Sequence, residues 1–253
     1  MQQSNEILEY DGSFAGFLCC VHYVFKRKQM PQFILTSEQA ENSLFSGFYI
    51  ETDEQLARRI ELRLQRKLRK DNFHFIKKGF FSSLENKEIC LLQVIEIALD
   101  CQDSLRSHTY QPVIDTLYRA LRMFDREIGH YCGFVRFSEV NHYLIATIKP
   151  QYCILPWLLP YFVKRYGKQS FGIYDQTHQL LGLSEEGNVS IRQVSAEIDL
   201  AITEDELQIQ KQWQLFFKTV AIEERENKRA QMNHMPKRYW DQLTEFQNNP
   251  VEQ

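Results

Sequence analysis

Two groups of residues in this chain have chemistry to offer a ligand. The first is acid–base: Asp11, Glu127, His130 and Asp175 each stand near the expected end of a helix or strand, where a side chain can reach into a cleft. Such groups act as general acids or bases when a substrate is held against them. They are equally at home as turn and cap residues. The second group is electrostatic. In the stretch 234–246, "HMPKRYWDQLTEF", Lys237 and Arg238 abut Tyr239 and Trp240, just after Pro236. Cations beside large rings suit a polyanion whose unpaired bases stack on exposed aromatics. The pattern also suits a short helix started by Pro236, with Tyr239, Leu243 and Phe246 on a docking stripe. On that reading Lys237 and Arg238 face away from the stripe and Trp240 lies one position off it, and these three are left for a partner.

No signature of a known chemistry accompanies these groups. The sequence contains no GxGxxG, no P-loop, no GxSxG and no HExxH. No cofactor is expected, and whether the chain is an enzyme stays open. Its six cysteines (Cys19, Cys20, Cys90, Cys101, Cys132 and Cys153) form no CxxC pair. Their neighbours are mostly apolar, as in "FLCCVHYVF", so reduced buried thiols are expected. A metal site on Cys19 and His22, which share a helix face, would need further ligands that the spacing does not identify. No metal is expected.

Charge is strongly segregated. The net charge is −3, yet 58–78 carries nine Lys/Arg against Glu61 and Asp71, while 184–206 carries seven acids against Arg192. The stretch 225–238 is basic again, with five cations against Glu226. Charged helix faces are often merely solvated, but alternating signs would fit that better than the nearly single sign of 58–78. Arg63, Arg66 and Arg69 of this block are candidate phosphate contacts. A chain of 253 residues, 43% hydrophobic, can bury a substantial core. Nothing approaches the ~20 apolar residues of a membrane span, and "MQQSNEILEYDG" lacks the order of a signal peptide. A cytoplasmic protein without a membrane partner is expected.

The elements that would position these groups are mixed. The strand "EILEY" leads through an Asp11-Gly12 turn to Ser13, which can cap a helix bearing Phe14, Phe17, Leu18, Val21 and Phe25 on one side. "QFILT" reads as a strand. Thr52 to Gln55 reads as a capping box opening a helix with Leu56, Ile60, Leu64 and Leu68 inward and the basic block outward. "KEICLLQVIEIALDC" has no polar face and reads as buried. From Pro112 a helix buries Val113, Leu117, Leu121, Phe124 and Ile128, and Gly129 can end it. The period then switches to two: "GFVRFSEV" and "YLIATIK" flank Asn141-His142 as a β-hairpin over 133–149. In that hairpin Arg136 would point from an open sheet face, ready for bidentate contact with phosphate or a base edge, or would pair with Glu139 or another acid. "WLLPYFVKRYG" follows as a helix despite Pro160, then the strands "SFGIYD" and "NVSIRQV". A second capping box, Thr203 to Glu206, opens a long helix with Trp213, Phe216, Phe217, Val220 and Ala221 on one face. The expected class is α+β, with a small antiparallel sheet and a helical C-terminal segment: a core over 1–202, with 203–253 packed on it.

Four stretches, "EYDGSFAGFLCCVHYVF", "TDEQLARRI", "DREIGHYCGFVRF" and "ERENKRAQMNHMPKRYWDQLTEF", occur in an order that resembles a bacterial domain-of-unknown-function family assigned to DNA metabolism. The resemblance runs from about Tyr10 to Phe246, with 79–112 resembling nothing familiar. It implies a DNA-linked role beside a partner, either a radical-SAM protein linked to DNA modification or repair, or a uracil-DNA glycosylase-like protein. It supplies no reaction. The positions it singles out are Glu127, His130, Arg136, Arg225, Asn227, Lys237, Arg238, Tyr239 and Trp240. Three roles follow: a nucleic-acid-binding accessory in DNA repair or modification, an interaction subunit that touches no DNA, or a nucleic-acid-processing enzyme using Glu127 and His130. The basic block favours the first over the second, and the missing catalytic motif counts against the third.

Overall fold

The computed structural model describes residues 1–43, 47–101, 103–140, 143–194, 204–222 and 227–247. The chain is an α+β protein that divides into two compact units, Met1–Met123 and Phe124–Gln253.

The first unit opens with β1 (Gln2–Gln3), β2 (Ile7–Tyr10), α1 (Phe14–Arg27), β3 (Gln29–Met30), β4 (Phe33–Thr36), α2 (Ser37–Glu41) and β5 (Phe48–Tyr49). In β2, Leu8 and Tyr10 are fully buried, the two-residue alternation of a strand with one covered face. β2 is the centre of a three-stranded sheet in which β4 and β5 both run parallel to it. The sequence gives no rhythm of long strands and helices to announce this parallel sheet, because its strands are two to four residues long. Gly12 turns the chain with φ +81°, and the Ser13 side chain accepts from Gly16 N to cap α1, as expected. The capping box at Thr52 does not form. Asp53 caps the next helix, accepting from Gln55 N and Leu56 N, while Thr52 Oγ1 donates to Asp11 2.8 Å away. A capping box does form at Thr36 and Gln39, opening α2.

Three further helices follow in this unit, α3 (Glu54–Lys67), α4 (Lys70–Phe80) and α5 (Lys87–Asp100), and then a 3-10 turn, Leu105–His108. Leu91, Leu92, Val94 and Ile95 of α5 are fully buried, as its lack of a polar face requires. The one acid on its inner side, Glu88, accepts from Tyr10 Oη at 2.7 Å. The helix α6 (Pro112–Phe134) contains the boundary between the units. It buries Ile114 rather than Val113, then Leu117, Leu121, Phe124, Glu127 and Tyr131. That stripe keeps helical period straight past Gly129, which therefore does not end the helix. Among the described residues nothing lies within 4 Å of where a side chain at Gly129 or Gly133 would begin. The glycines sit on the open side and cost the helix about 1 kcal/mol each, less than the packed stripe returns.

The second unit contains β6 (Ser138–Val140), β7 (Tyr143–Ile148), α7 (Leu155–Tyr166), β8 (Phe171–Asp175), β9 (Leu180–Glu185) and β10 (Asn188–Gln193). Its sheet runs β10-β9-β8-β7-β6, antiparallel except where α7 carries the chain from β7 to the parallel β8. The hairpin β6–β7 pairs Ser138 with Ile145 and Val140 with Tyr143, so it is shorter than 133–149, and its turn lies outside the described residues. Gly182 of β9 lets α7 approach: a β-carbon there would stand 2.6 Å from Leu159 Cδ1. The unit ends with α8 (Glu204–Val220), α9 (Lys228–His234) and two 3-10 turns, Lys237–Gln242 and Thr244–Phe246. Thr203, the expected cap of α8, lies outside the described residues. No helix among the described residues is long and apolar enough to cross a membrane.

Candidate nucleic-acid interface

In the first unit the basic block 58–78 is two helices, not one. It breaks at Leu68, whose backbone is extended, and Arg69 stands before α4 and pairs with Asp71 at 3.1 Å. Arg69 therefore does not continue the row of Arg63 and Arg66. On α3 itself Arg58, Arg59, Arg63, Arg66 and Lys67 are all exposed. None of the five has a carboxylate within ion-pair distance among the described residues. Arg59, Arg63 and Arg66 follow at i, i+4 and i+7 and so share a face. Lys77 is withdrawn from this surface, held by Glu61 at 2.9 Å.

In the second unit α6 and the first 3-10 turn bring four predicted residues together. Glu127 is buried and accepts from Gln151 N at 3.0 Å and Tyr152 N at 2.9 Å. Arg238 Nη2 lies 3.3 Å from the same carboxylate. That guanidinium also donates to Tyr239 Oη, and the Tyr239 oxygen sits 3.1 Å from His130 Nδ1. Burial, then the nearby charges of Arg126 and Arg238, push the His130 imidazole below its ordinary range. Burial pushes the Tyr239 phenol up, against the pull of Arg238. The phenol therefore keeps its proton beside an imidazole biased towards its neutral form. The Tyr239 ring is buried against Tyr131, His130 and Phe134, with centroids 5.1 to 5.2 Å away.

A second junction holds the same C-terminal stretch. Arg136 lies in the connection between α6 and β6, not in a strand, and its Nη2 meets Glu245 at 2.8 Å. Its acid is thus Glu245 rather than Glu139. Burial pushes Glu245 up, but the hydrogen bonds from Arg136 and Trp213 outweigh it and hold the carboxyl below its ordinary range. Trp240 is not left for a partner: its Nε1 donates to Met235 O at 2.9 Å and its ring stacks on Phe246 at 4.5 Å. Beside Arg136 the outer face of β6–β7 and the 3-10 turns line a polar cleft of about 290 Å³, to which Lys149, Gln176, Gln210 and Gln242 contribute. Nothing local in the sequence marks Lys149 or these glutamines, since the residues that complete the cleft lie far away along the chain.

The remaining candidates are placed as follows. Asp11 accepts from Ser13 N and Thr52 Oγ1. Burial raises its pKa, and those hydrogen bonds more than reverse the shift. Asp175 is buried and closes a turn, accepting from Thr177 N, His178 N and the His178 ring. Asn227 caps α9 by accepting from Ala230 N at 2.9 Å. Lys237 is exposed, with its ammonium 5.9 Å from the Trp240 ring. Arg225 lies outside the described residues. Cys19 is buried and donates to Asp53 O. His22, its suggested partner, lines a cavity between α1, α3 and α5.

A family model, described as a domain of unknown function, DUF4130, matches residues 85–245. The match takes in α5 and the rest of the chain through the second junction, including much of 79–112, which resembled nothing. It leaves the basic row of α3 outside. Among curated proteins none matches the chain.

Proposed function

Because the chain belongs to the DUF4130 family, a domain of unknown function, we propose its role from the surfaces it presents: a nucleic-acid-binding accessory of DNA metabolism and repair, acting beside a radical-SAM or glycosylase-type enzyme. The observation that carries this reading is the row of exposed arginines on α3, unneutralised by any described carboxylate. A helix face of that kind matches a phosphate backbone, and the affinity it supplies comes from counterion release. The Glu127–Arg238–Tyr239–His130 junction contributes differently. Three donors already converge on Glu127, so it serves as a structural clasp that fixes the C-terminal stretch on α6 rather than as a free base.

The test is titration of a single-stranded oligonucleotide at several salt concentrations. Replacing Arg59, Arg63 and Arg66 by serine is expected to flatten the slope of log K against log salt by about 2, from ~0.7 per phosphate contact on single strands. Arg69→Ser, which removes a residue already paired with Asp71, is expected to change the slope little. A wild-type protein that does not bind, or a triple variant with an unchanged slope, refutes the reading.

A second reading, an interaction subunit for such an enzyme without DNA contact, is favoured by α8. Its inward side is polar, Glu206 and Gln210. Phe216 and Val220, on the apolar face expected from the sequence, are 56% and 59% exposed, and Leu215 beside them is 67% exposed. Under this reading, charge substitutions at Phe216 and Val220 abolish association with the enzyme, and the α3 variants do not.

A further inference from the structure

We infer that the cavity between α1, α3 and α5 is a binding site for a small amphipathic organic anion, an acyl carboxylate in type. The cavity measures about 390 Å³, within the ~300–1,000 Å³ of ligand pockets. Apart from His22, its floor is apolar: Phe25, Ile60, Ile95 and Leu99. Its rim is cationic, with Lys26 from α1 and Arg63 and Lys67 from α3, all three exposed. Among the described residues no Asp or Glu lines it, and no carboxylate pairs with any of the three cations.

The combination restricts the occupant. A lining that is apolar apart from His22 and the rim cations favours a hydrocarbon body and gives a nucleobase edge little beyond one imidazole to read. Converging cations, unneutralised from within the described fold, favour a negative head at the mouth. The residues follow from helix geometry. Lys26 stands one residue beyond Phe25 on α1, and Arg63 and Lys67 stand three and seven beyond Ile60 on α3. The faces that close over the apolar floor thus end in the stems of long basic side chains, whose methylenes extend the apolar wall while their heads stay in water. The inference does not depend on nucleic-acid binding: a wild-type protein that binds no oligonucleotide would refute that reading and leave this one standing.

Isothermal titration of the full chain with decanoate, and with decanol as the uncharged comparator, tests it. The expected result is one saturable site for decanoate, with decanol about tenfold weaker, since a tenfold change corresponds to 1.4 kcal/mol and three cations acting together on one head exceed what a single exposed pair supplies. The variant Arg63→Glu/Lys67→Glu is expected to lose about tenfold or more in decanoate affinity with its melting temperature unchanged. Lys26→Glu, on a different helix, provides the same test should the double variant melt early. Arg59→Ser and Arg66→Ser, outside the cavity, are expected to leave decanoate binding intact. Absence of a saturable site, equal affinity for decanol, or undiminished binding by the folded charge-reversal variants overturns the proposal.

Discussion

Tyr239 gives the sharpest test of how the C-terminal stretch is held. Its side chain is 1% exposed and packs edge-on against Tyr131 and His130. Tyr239→Ala removes the ring from between α6 side chains that cannot all collapse into the gap, at a cost of about 3–5 kcal/mol. Tyr239→Phe keeps the ring and removes the hydroxyl. Arg238 then still has Glu127, and His130, half-buried, can take a water in place of the phenol. The loss is one modest net hydrogen bond, about 1 kcal/mol. For a chain of this size 1 kcal/mol shifts melting by roughly 2–4 °C. Tyr239→Ala is therefore expected to lower the melting temperature by about 6–20 °C, and Tyr239→Phe by about 2–4 °C. Thermal unfolding followed by circular dichroism measures both. If the alanine variant melts no earlier than the phenylalanine variant, the ring does not hold the stretch in place and the clasp is misassigned.

Three further outcomes follow from the same geometry. Arg238→Ala removes a half-exposed partner from a buried carboxylate that keeps two amide donors. It is expected to cost about 1–2 kcal/mol in denaturant unfolding, less than a fully buried pair would, where a merely solvated arginine would cost nothing measurable. His130 has a folded pKa below its ordinary 6.5, so the unfolded chain binds the extra proton first. Stability is then fully present above that value and falls as the pH drops toward the folded pKa, and His130→Gln should flatten this part of a stability–pH profile. Gly182→Ala forces Leu159, itself fully buried, out of place. Overpacking there is expected to cost about 1–3 kcal/mol, read as an earlier thermal midpoint.

Local chemistry in the sequence determined a good part of this protein. Ser13 caps α1 because a hydroxyl after a glycine turn satisfies an orphan amide wherever the helix then docks. The unbroken apolar run of α5 requires burial, and period two in "YLIATIK" marks the strand β7. Tertiary structure decided the choices in which two local signals competed. Thr52 and Asp53 can each cap α3; Asp53 does so because Asp11, 41 residues away, takes the Thr52 hydroxyl. Gly129 is a helix stop by composition, but α6 runs on because Glu127 and Tyr131 have partners across the fold. Arg136 was open between a free sheet face and an acid partner, and Glu245, 109 positions on, decides it. α8 carries an apolar face in its sequence, yet its buried residues are Glu206 and Gln210, bonding to Glu139 N and Ser138 Oγ. Capping and periodicity act within one helical turn, so they are written in neighbouring letters. An ion pair or a docked face depends on which distant partner arrives, and no window along the chain contains both.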